Sequence, residues 1–420
     1  MMSIIMSPLL QHYRIRKSEN ERNQKMSEIR KTIITRLKVR NYRSLYDIDI
    51  RLGPVTILAG PNGAGKSNIT DALRFVRDAL TRGVREAILT RGGQRNIFHR
   101  QPDRDGHISA EICLSGPAWS GKYALTLETG GNSPLVRQEK LSVTIAGTSA
   151  GEEPVTTSLE FGYGKLISEK NKKTWPFHDD MNFDVSGGLL AISGLRSVVP
   201  DFNRMYQFLG SMGFYNISPG KLRVPQADAE ISPLDEGGRN LCAVLRHLRE
   251  KHPAESRSLI SALKAVVPGI ADYSVKPIGE WLITDLRYEL SKLGLPSPSL
   301  ELALESDGTL RMMGILAAIY QVPSLPLLTI EEPELNIHPG GSDVLGNVLQ
   351  EAGLRSQVLI TTHSPDLIDT FSPDMLRIVE KEDGVTKVGP LLKSQSEAIA
   401  ENLFSPGELM RIDGLQRERK

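Results

Sequence analysis

The chain has 420 residues, 40% of them hydrophobic, and a formal net charge of +1, an ordinary globular composition with core enough for one elaborated domain or two. No global charge excess announces a nucleic-acid or membrane partner, although a local basic face stays open. Cys113 and Cys242 lie far apart without metal-ligand spacing, which excludes a cysteine metal site and leaves buried thiols in a reducing cytoplasm as the expectation.

Met1 to Leu10 is apolar and is followed by Arg14, Arg16 and Lys17, the reverse of the order in a secretory signal. Residues 1–25 are read as a disordered extension outside the fold. No apolar run approaches the roughly 18 residues that span a bilayer, so a cytoplasmic location without membrane contact is expected. Leu37 and Val39, then Ile48, Ile50 and Leu52, alternate with charged residues and predict two half-buried strands.

The run Val55-Thr56-Ile57-Leu58-Ala59 predicts a buried strand, and Ile69, Ala72, Leu73 and Val76 recur at helical spacing. Between them stands Gly60-Pro61-Asn62-Gly63-Ala64-Gly65-Lys66-Ser67, a complete G-x-x-x-x-G-K-[ST] loop. Strand, glycine loop and helix together bind a nucleoside triphosphate. Backbone N–H groups close around the phosphates at a helix N-terminus, Lys66 adds a point charge, and the Ser67 hydroxyl can ligate Mg²⁺.

After a breaker-rich stretch at Arg91-Gly92-Gly93-Gln94, alternation at Ile108–Leu114, Tyr123–Leu127, Leu135–Ile145 and Ser158–Phe161 predicts an antiparallel meander. From about residue 190 to 290 the periods are helical, with short helices around Leu241–Leu248 and Leu259–Val266, too short for a coiled-coil arm. Alternation returns at Leu300, Leu302 and Leu304. Glu305-Ser306-Asp307-Gly308-Thr309 then opens a helix over Leu310–Tyr320, as a plain helix cap or as a second anion site.

Leu327-Leu328-Thr329-Ile330 predicts a buried strand running into Glu331-Glu332-Pro333-Glu334-Leu335-Asn336-Ile337-His338-Pro339. Ligands bind at that end of an open α/β sheet; a carboxylate there can hold Mg²⁺ and a second can orient and deprotonate water. The other reading is an acidic loop ending a strand. Val358 to Thr362 is another apolar strand, parallel to the first, that ends in His363, which is either structural or within reach of a γ-phosphate. Ile399, Leu403, Leu409, Met410, Ile412 and Leu415 fit a helical tail packed on the head.

Taken in order, these segments resemble the ABC-type ATPase head of the RecF, SMC and OLD-like group, and more closely its compact AAA15/AAA21 branch. Leu37 to Leu45 resembles the opening strand and turn, Gly60 to Asn68 the Walker A motif, Glu331 to Pro339 Walker B with its D-loop, and Thr362-His363-Ser364 the switch-histidine loop. The resemblance implies an α/β P-loop fold with a mixed central sheet, an antiparallel β subdomain and an inserted α/β-to-helical lobe. The head would comprise residues 26–150 and 295–395, the insertion 151–294 and the helical tail 396–420.

Carried onto matching positions, Gly60, Asn62, Gly63, Ala64, Gly65, Lys66, Ser67, Asn68 and Arg43 would bind ATP, and Ser67 and Glu331 would hold Mg²⁺. Glu332 would be the general base, with Lys66 and His363 on the γ-phosphate. Ser306 and Gly308 would act in trans, on the nucleotide of a second copy, so ATP binding would drive homodimerisation and hydrolysis would release it. Three features depart from the wider pattern or stay open. Position 331 is Glu instead of Asp, the signature reads Glu-Ser-Asp-Gly-Thr instead of Leu-Ser-Gly-Gly-Gln, and Gln94 and Gln101 both qualify as the coupling glutamine.

Two outputs follow from the resemblance. One is a switch in DNA maintenance or in defence against foreign DNA, acting on double-stranded DNA; Arg36, Lys38, Arg40, Lys170, Lys172 and Lys173 are its candidate backbone contacts. The other is a regulator that holds and releases a separate effector protein, a nuclease or toxin, since the stretch after His363 is too short for the nuclease domain that OLD proteins carry. A membrane transporter's nucleotide-binding subunit fits less well, because of the long mixed insertion.

Overall fold

The computed structural model describes residues 31–99, 106–128, 135–147, 153–170, 190–196, 199–228, 233–289 and 298–419. The expected N-terminal extension, Gln101, Lys172 and Lys173 lie outside these residues.

Strands β1 (Ile33–Tyr42) and β2 (Leu45–Arg51) form an antiparallel hairpin, and β3 (Val55–Ala59) then leaves it for a second sheet. Helix α1 (Lys66–Arg82) follows the glycine loop. The meander β4 (His107–Ser115), β5 (Trp119–Glu128), β6 (Leu135–Ile145), β7 (Val155–Gly162) and β8 (Lys165–Lys170) adds to β1, giving a seven-stranded sheet in the order β2-β1-β4-β5-β6-β7-β8. Its strands alternate buried and solvated side chains, as a sheet with one covered face must. The ladder runs on past residue 150, where the first part of the head is expected to end: β7 pairs with β6 from Gln138↔Gly162 to Ile145↔Val155.

After helix α2 (Pro200–Gly210), the three-residue strand β9 (Gly213–Tyr215) joins the second sheet. A two-residue strand β10 (Gln226–Ala227), helices α3 (Leu241–Lys251) and α4 (Pro253–Val266), and strands β11 (Ile270–Ile278), β12 (Trp281–Tyr288) and β13 (Ser299–Glu301) build a small antiparallel sheet with its helical cover. The two helices lie where helical periods predict them. The helical periods read over about 190–290 do not reveal the β11–β12 hairpin, nor β9, which pairs with the head inside the expected insertion.

Helix α5 (Asp307–Tyr320), strand β14 (Leu327–Glu331), helix α6 (Ser342–Arg355) and strands β15 (Gln357–Thr362), β16 (Leu376–Glu382) and β17 (Val385–Gly389) complete the second sheet, in the order β17-β16-β3-β15-β14-β9. Every pair is parallel except the terminal β16–β17 hairpin, so the sheet is mixed. All residues of β3 and β15 are buried, because helices and the first sheet cover both faces. Gln357 ties the sheets together: its Oε1 accepts from the Ile34 N–H at 2.8 Å and its Nε2 donates to the carbonyls of Ile34 at 2.8 Å and Gly53 at 2.9 Å.

One apolar core lies between the seven-stranded sheet, α1 and α2; a second lies between the mixed sheet and α3 to α6. The tail forms two short helices, Lys393–Ala400 and Pro406–Ile412. Ile399, Met410 and Leu415 pack on the second core, whereas Leu403 and Ile412 stay exposed. Among the described residues no helix is long and apolar enough to cross a membrane.

Candidate functional site

Parallel pairing brings the C-terminal ends of three adjacent strands to one edge. Thr362 of β15 lies opposite Ala59 of β3, and Thr361 lies opposite Glu331 of β14. The residues that follow these positions are the glycine loop, His363 and Glu332, so three segments distant in sequence converge where an open parallel sheet binds ligands.

The glycine loop opens α1 at a Gly65 N-cap with no side-chain cap and no acidic residue in the first turn, leaving the helix start free for an anion. Gly65 has φ +108°, and a Cβ there would collide with Thr386 of β17. Lys66 is buried, and its ammonium donates to the carbonyls of Gly60 at 2.6 Å and Pro61 at 3.0 Å. Burial lowers its pKa, opposed by the charges of Glu332 and Glu334. Asn62, Gly63 and Ser67 are exposed on the loop, while Ala64 is buried beneath it.

The Asn68 amide turns away from the loop to donate to Ser44 Oγ at 2.6 Å; Ser44 Oγ lies 2.6 Å from Thr386 Oγ1, which donates to the Ala64 carbonyl at 2.9 Å. The loop is thus pinned by the β1–β2 turn and by β17. Arg43, in that turn, pairs with Asp71 of α1 at 3.1 Å, and Asp71 also accepts from Tyr42 Oη at 2.5 Å and Arg91 Nε at 3.1 Å.

At the end of β14, Glu331 Oε1 accepts from Thr70 Oγ1 at 2.9 Å and burial raises its pKa. Glu331, Ser67 and Arg43 line one cleft of about 820 Å³ that runs along α1. The Ser67 hydroxyl and the Glu331 carboxylate both line this cleft, and both are hard oxygen donors of the kind a divalent cation takes. Among the described residues no cluster of three or more His, Cys, Asp or Glu could hold a metal, so such a cation would take its remaining ligands from phosphate and water.

Glu332 has a left-handed backbone, φ +44°, and its N–H donates to the Thr361 carbonyl at 2.9 Å. Its Oε1 lies 3.3 Å from His363 Nδ1, close enough for an ion pair though not aligned as a hydrogen bond. Glu334, buried behind it, accepts from Thr362 Oγ1 at 2.5 Å, and burial raises its pKa.

Ser306 caps α5 by accepting from the Thr309 N–H at 3.2 Å, and a Cβ on Gly308 would strike the Asn336 carbonyl. The partners of these two residues are on α5 and on the loop after β14, not on the glycine loop of the same chain. Gln94 is half-buried at the start of the short helix Gln94–Ile97. The candidate DNA contacts on β1 stand beside carboxylates: Arg36 pairs with Asp49 at 2.5 Å and Arg40 with Asp47 at 3.0 Å, while Lys38 lies 3.8 Å from Glu111, which Lys122 holds more closely at 2.7 Å.

Sequence reading misses Arg311 and Thr386. Arg311, on α5 and 4% exposed, donates to the carbonyls of Ile217 at 2.5 Å, Glu331 at 3.0 Å and Glu332 at 2.7 Å. An arginine on an otherwise apolar helix face is the one local signal of such a buried role.

Residues 33–105 match the family described as "AAA ATPase domain", and residues 172–369 match that described as "AAA domain, putative AbiEii toxin, Type IV TA system". The first match contains the glycine loop and the second contains Ser306, Glu331, Glu332 and His363. An OLD nuclease of Thermus scotoductus is 23% identical over 88% of this chain and 66% of its own length. The DNA replication and repair protein RecF of Corynebacterium jeikeium is 40% identical over 19% of this chain and 20% of its own. The chain thus spans just under two-thirds of the first relative and a fifth of the second. Among solved structures, an SMC head bound to the C-terminal winged-helix domain of ScpA is 14% identical with a TM-score of 0.49, over 86% of this chain and 99% of that one.

Proposed function

We propose that this chain, an ABC-type ATPase of the group that contains RecF, SMC and OLD proteins, hydrolyses ATP between two copies of itself and uses the cycle as a switch in DNA maintenance or anti-phage defence. The observation that carries the reading is the convergence of the glycine loop, Glu331–Glu332 and His363 at the ends of β3, β14 and β15.

In this reading the N–H groups at the start of α1 and the Lys66 ammonium take the β- and γ-phosphates. Ser67 and Glu331 would hold Mg²⁺, which supplies charge neutralisation on the phosphate oxygens. Glu332 accepts a proton from water as the water oxygen bonds to the γ-phosphorus. The bond to the β–γ bridging oxygen breaks with its electron pair left on ADP, and orthophosphate is freed. His363, whose Nδ1 lies 3.3 Å from Glu332 Oε1, would contact the γ-phosphate beside that carboxylate. Ser306 and Gly308 sit at the start of α5, suited to cover the nucleotide of the second copy.

The ion pairs of Arg36 with Asp49 and of Arg40 with Asp47 favour a second reading of the output, in which the switch holds and releases a separate effector protein without using DNA. Steady-state ATP hydrolysis with and without double-stranded DNA separates the two. Stimulation by DNA supports the DNA switch. Turnover indifferent to DNA, with a copurifying effector released by ATP, supports the regulator. No turnover under either condition contradicts both.

A further inference from the structure

The cleft that begins at Ser67 and Glu331 does not end there. It continues along α1 to Arg82 and is closed on its far side by Lys221 and the turn Asp235–Arg239. Seven Arg or Lys and five Asp or Glu side chains line it, an excess of positive charge that grows once Glu331 is committed to a cation. Arg74 stands at its inner end with its guanidinium 4.0 Å from Glu331 and 3.7 Å from Glu236, too far for hydrogen bonds, and its buried Nε has no partner. Arg43 Nε is likewise buried and unpartnered. At the outer end Arg82, Lys221 and Arg239 are exposed and carry no ion pair among the described residues.

We infer that this cleft is a second oxyanion site, which takes orthophosphate as it leaves the nucleotide site. The inference rests on the ATP-hydrolysis reading for the source of its ligand. In an ATP sandwich the second copy covers the glycine loop from outside, so a product freed beside Ser67 needs another way out. At the inner end the Arg74 Nη groups, which make no hydrogen bond among the described residues, take the anion, and the three unpaired cations draw it outward. The internal pairs Arg91–Asp71, Arg91–Asp78 and Arg77–Glu236 hold the walls, at 3.1, 2.9 and 2.7 Å.

The test is equilibrium dialysis of radiolabelled orthophosphate onto the full chain carrying Lys66→Ala, which removes the competing lysine of the glycine loop. Saturable binding is expected, weakened about tenfold when Lys221→Ala and Arg239→Ala are added, with unchanged thermal unfolding. Absence of saturable binding overturns the site, as does binding that the two added substitutions leave unmoved. ATP hydrolysis by the otherwise unmodified chain is measured alongside. If it is absent while orthophosphate binds through Lys221 and Arg239, the anion site stands and its role in product release is overturned.

Discussion

The Arg311 guanidinium donates to the Glu332 carbonyl at 2.7 Å and to the Glu331 carbonyl at 3.0 Å, so α5, the helix that Ser306 caps, is fastened to both acidic residues at the end of β14. Glu332 is held there at φ +44°, a conformation that a non-glycine residue keeps only when its surroundings impose it. A shift of α5 therefore moves the backbone of the proposed general base.

Replacing Arg311 with Lys keeps the charge but loses the fork that serves three carbonyls at once. We expect kcat for ATP to fall by about tenfold to a hundredfold with KM little changed, because misplacing a base affects the chemical step more than nucleotide binding. Parallel changes in kcat and KM, or no change in either, would contradict a positioning role.

Thr386 should act on nucleotide binding instead. Its hydroxyl bridges Ser44 Oγ and the Ala64 carbonyl, and Thr386→Val removes both hydrogen bonds while conserving shape. The loss of about 1–2 kcal/mol of loop support predicts roughly tenfold weaker binding of a fluorescent ATP analogue, read by titration, with the fold intact. Unaltered affinity would mean that the glycine loop holds its shape without β17.

The glycine loop is legible because eight consecutive residues and their flanks carry the whole pattern, and Glu331, Glu332 and His363 are legible because each ends an apolar strand. Arg311 and Thr386 are not, since Arg311 meets Glu332 only once α5 packs behind β14, and Thr386 is 322 residues from Ala64. The β11–β12 hairpin escapes for another reason. β11 is mostly solvated and does not alternate, and one inward position of β12 is Thr284, so neither strand shows a clean period of two. Three residues at β9 are too few for any periodicity.

Gly308 offers a test of the assembly that is read by nucleotide binding and association instead of turnover, because a displaced α5 also moves Glu332. A methyl group there strikes the Asn336 carbonyl in the loop after β14, so Gly308→Ala should displace the start of α5. Binding of an ATP analogue by the isolated chain is expected to persist while ATP-dependent association, measured by light scattering, is lost. Association as strong as in the unmodified chain would remove Gly308 from the interface.

Stability should also report a buried carboxyl far from the site. Glu139, 1% exposed, accepts from the N–H groups of Ala191 and Ile192 and from Tyr123 Oη, and burial pushes its pKa up to about 7 from 4.5. The folded chain holds that proton where the unfolded chain has lost it. The stabilising contribution is therefore complete below pH 4.5 and disappears as pH rises through 7. Denaturant melts should lose up to roughly 3 kcal/mol over that window, and Glu139→Gln should remove most of the slope. An unchanged slope in the variant would assign the pH dependence to other groups.

ATP held between two copies and cleaved with Glu332 as base leaves a signature in solution. Its most direct measurement is the mass of the purified Glu332→Gln chain in solution, with and without Mg-ATP, beside its rate of ATP hydrolysis. A stable ATP-dependent dimer is expected, with turnover reduced by about a hundredfold or more. An unchanged monomer mass with ATP, or undiminished hydrolysis by the variant, would contradict it.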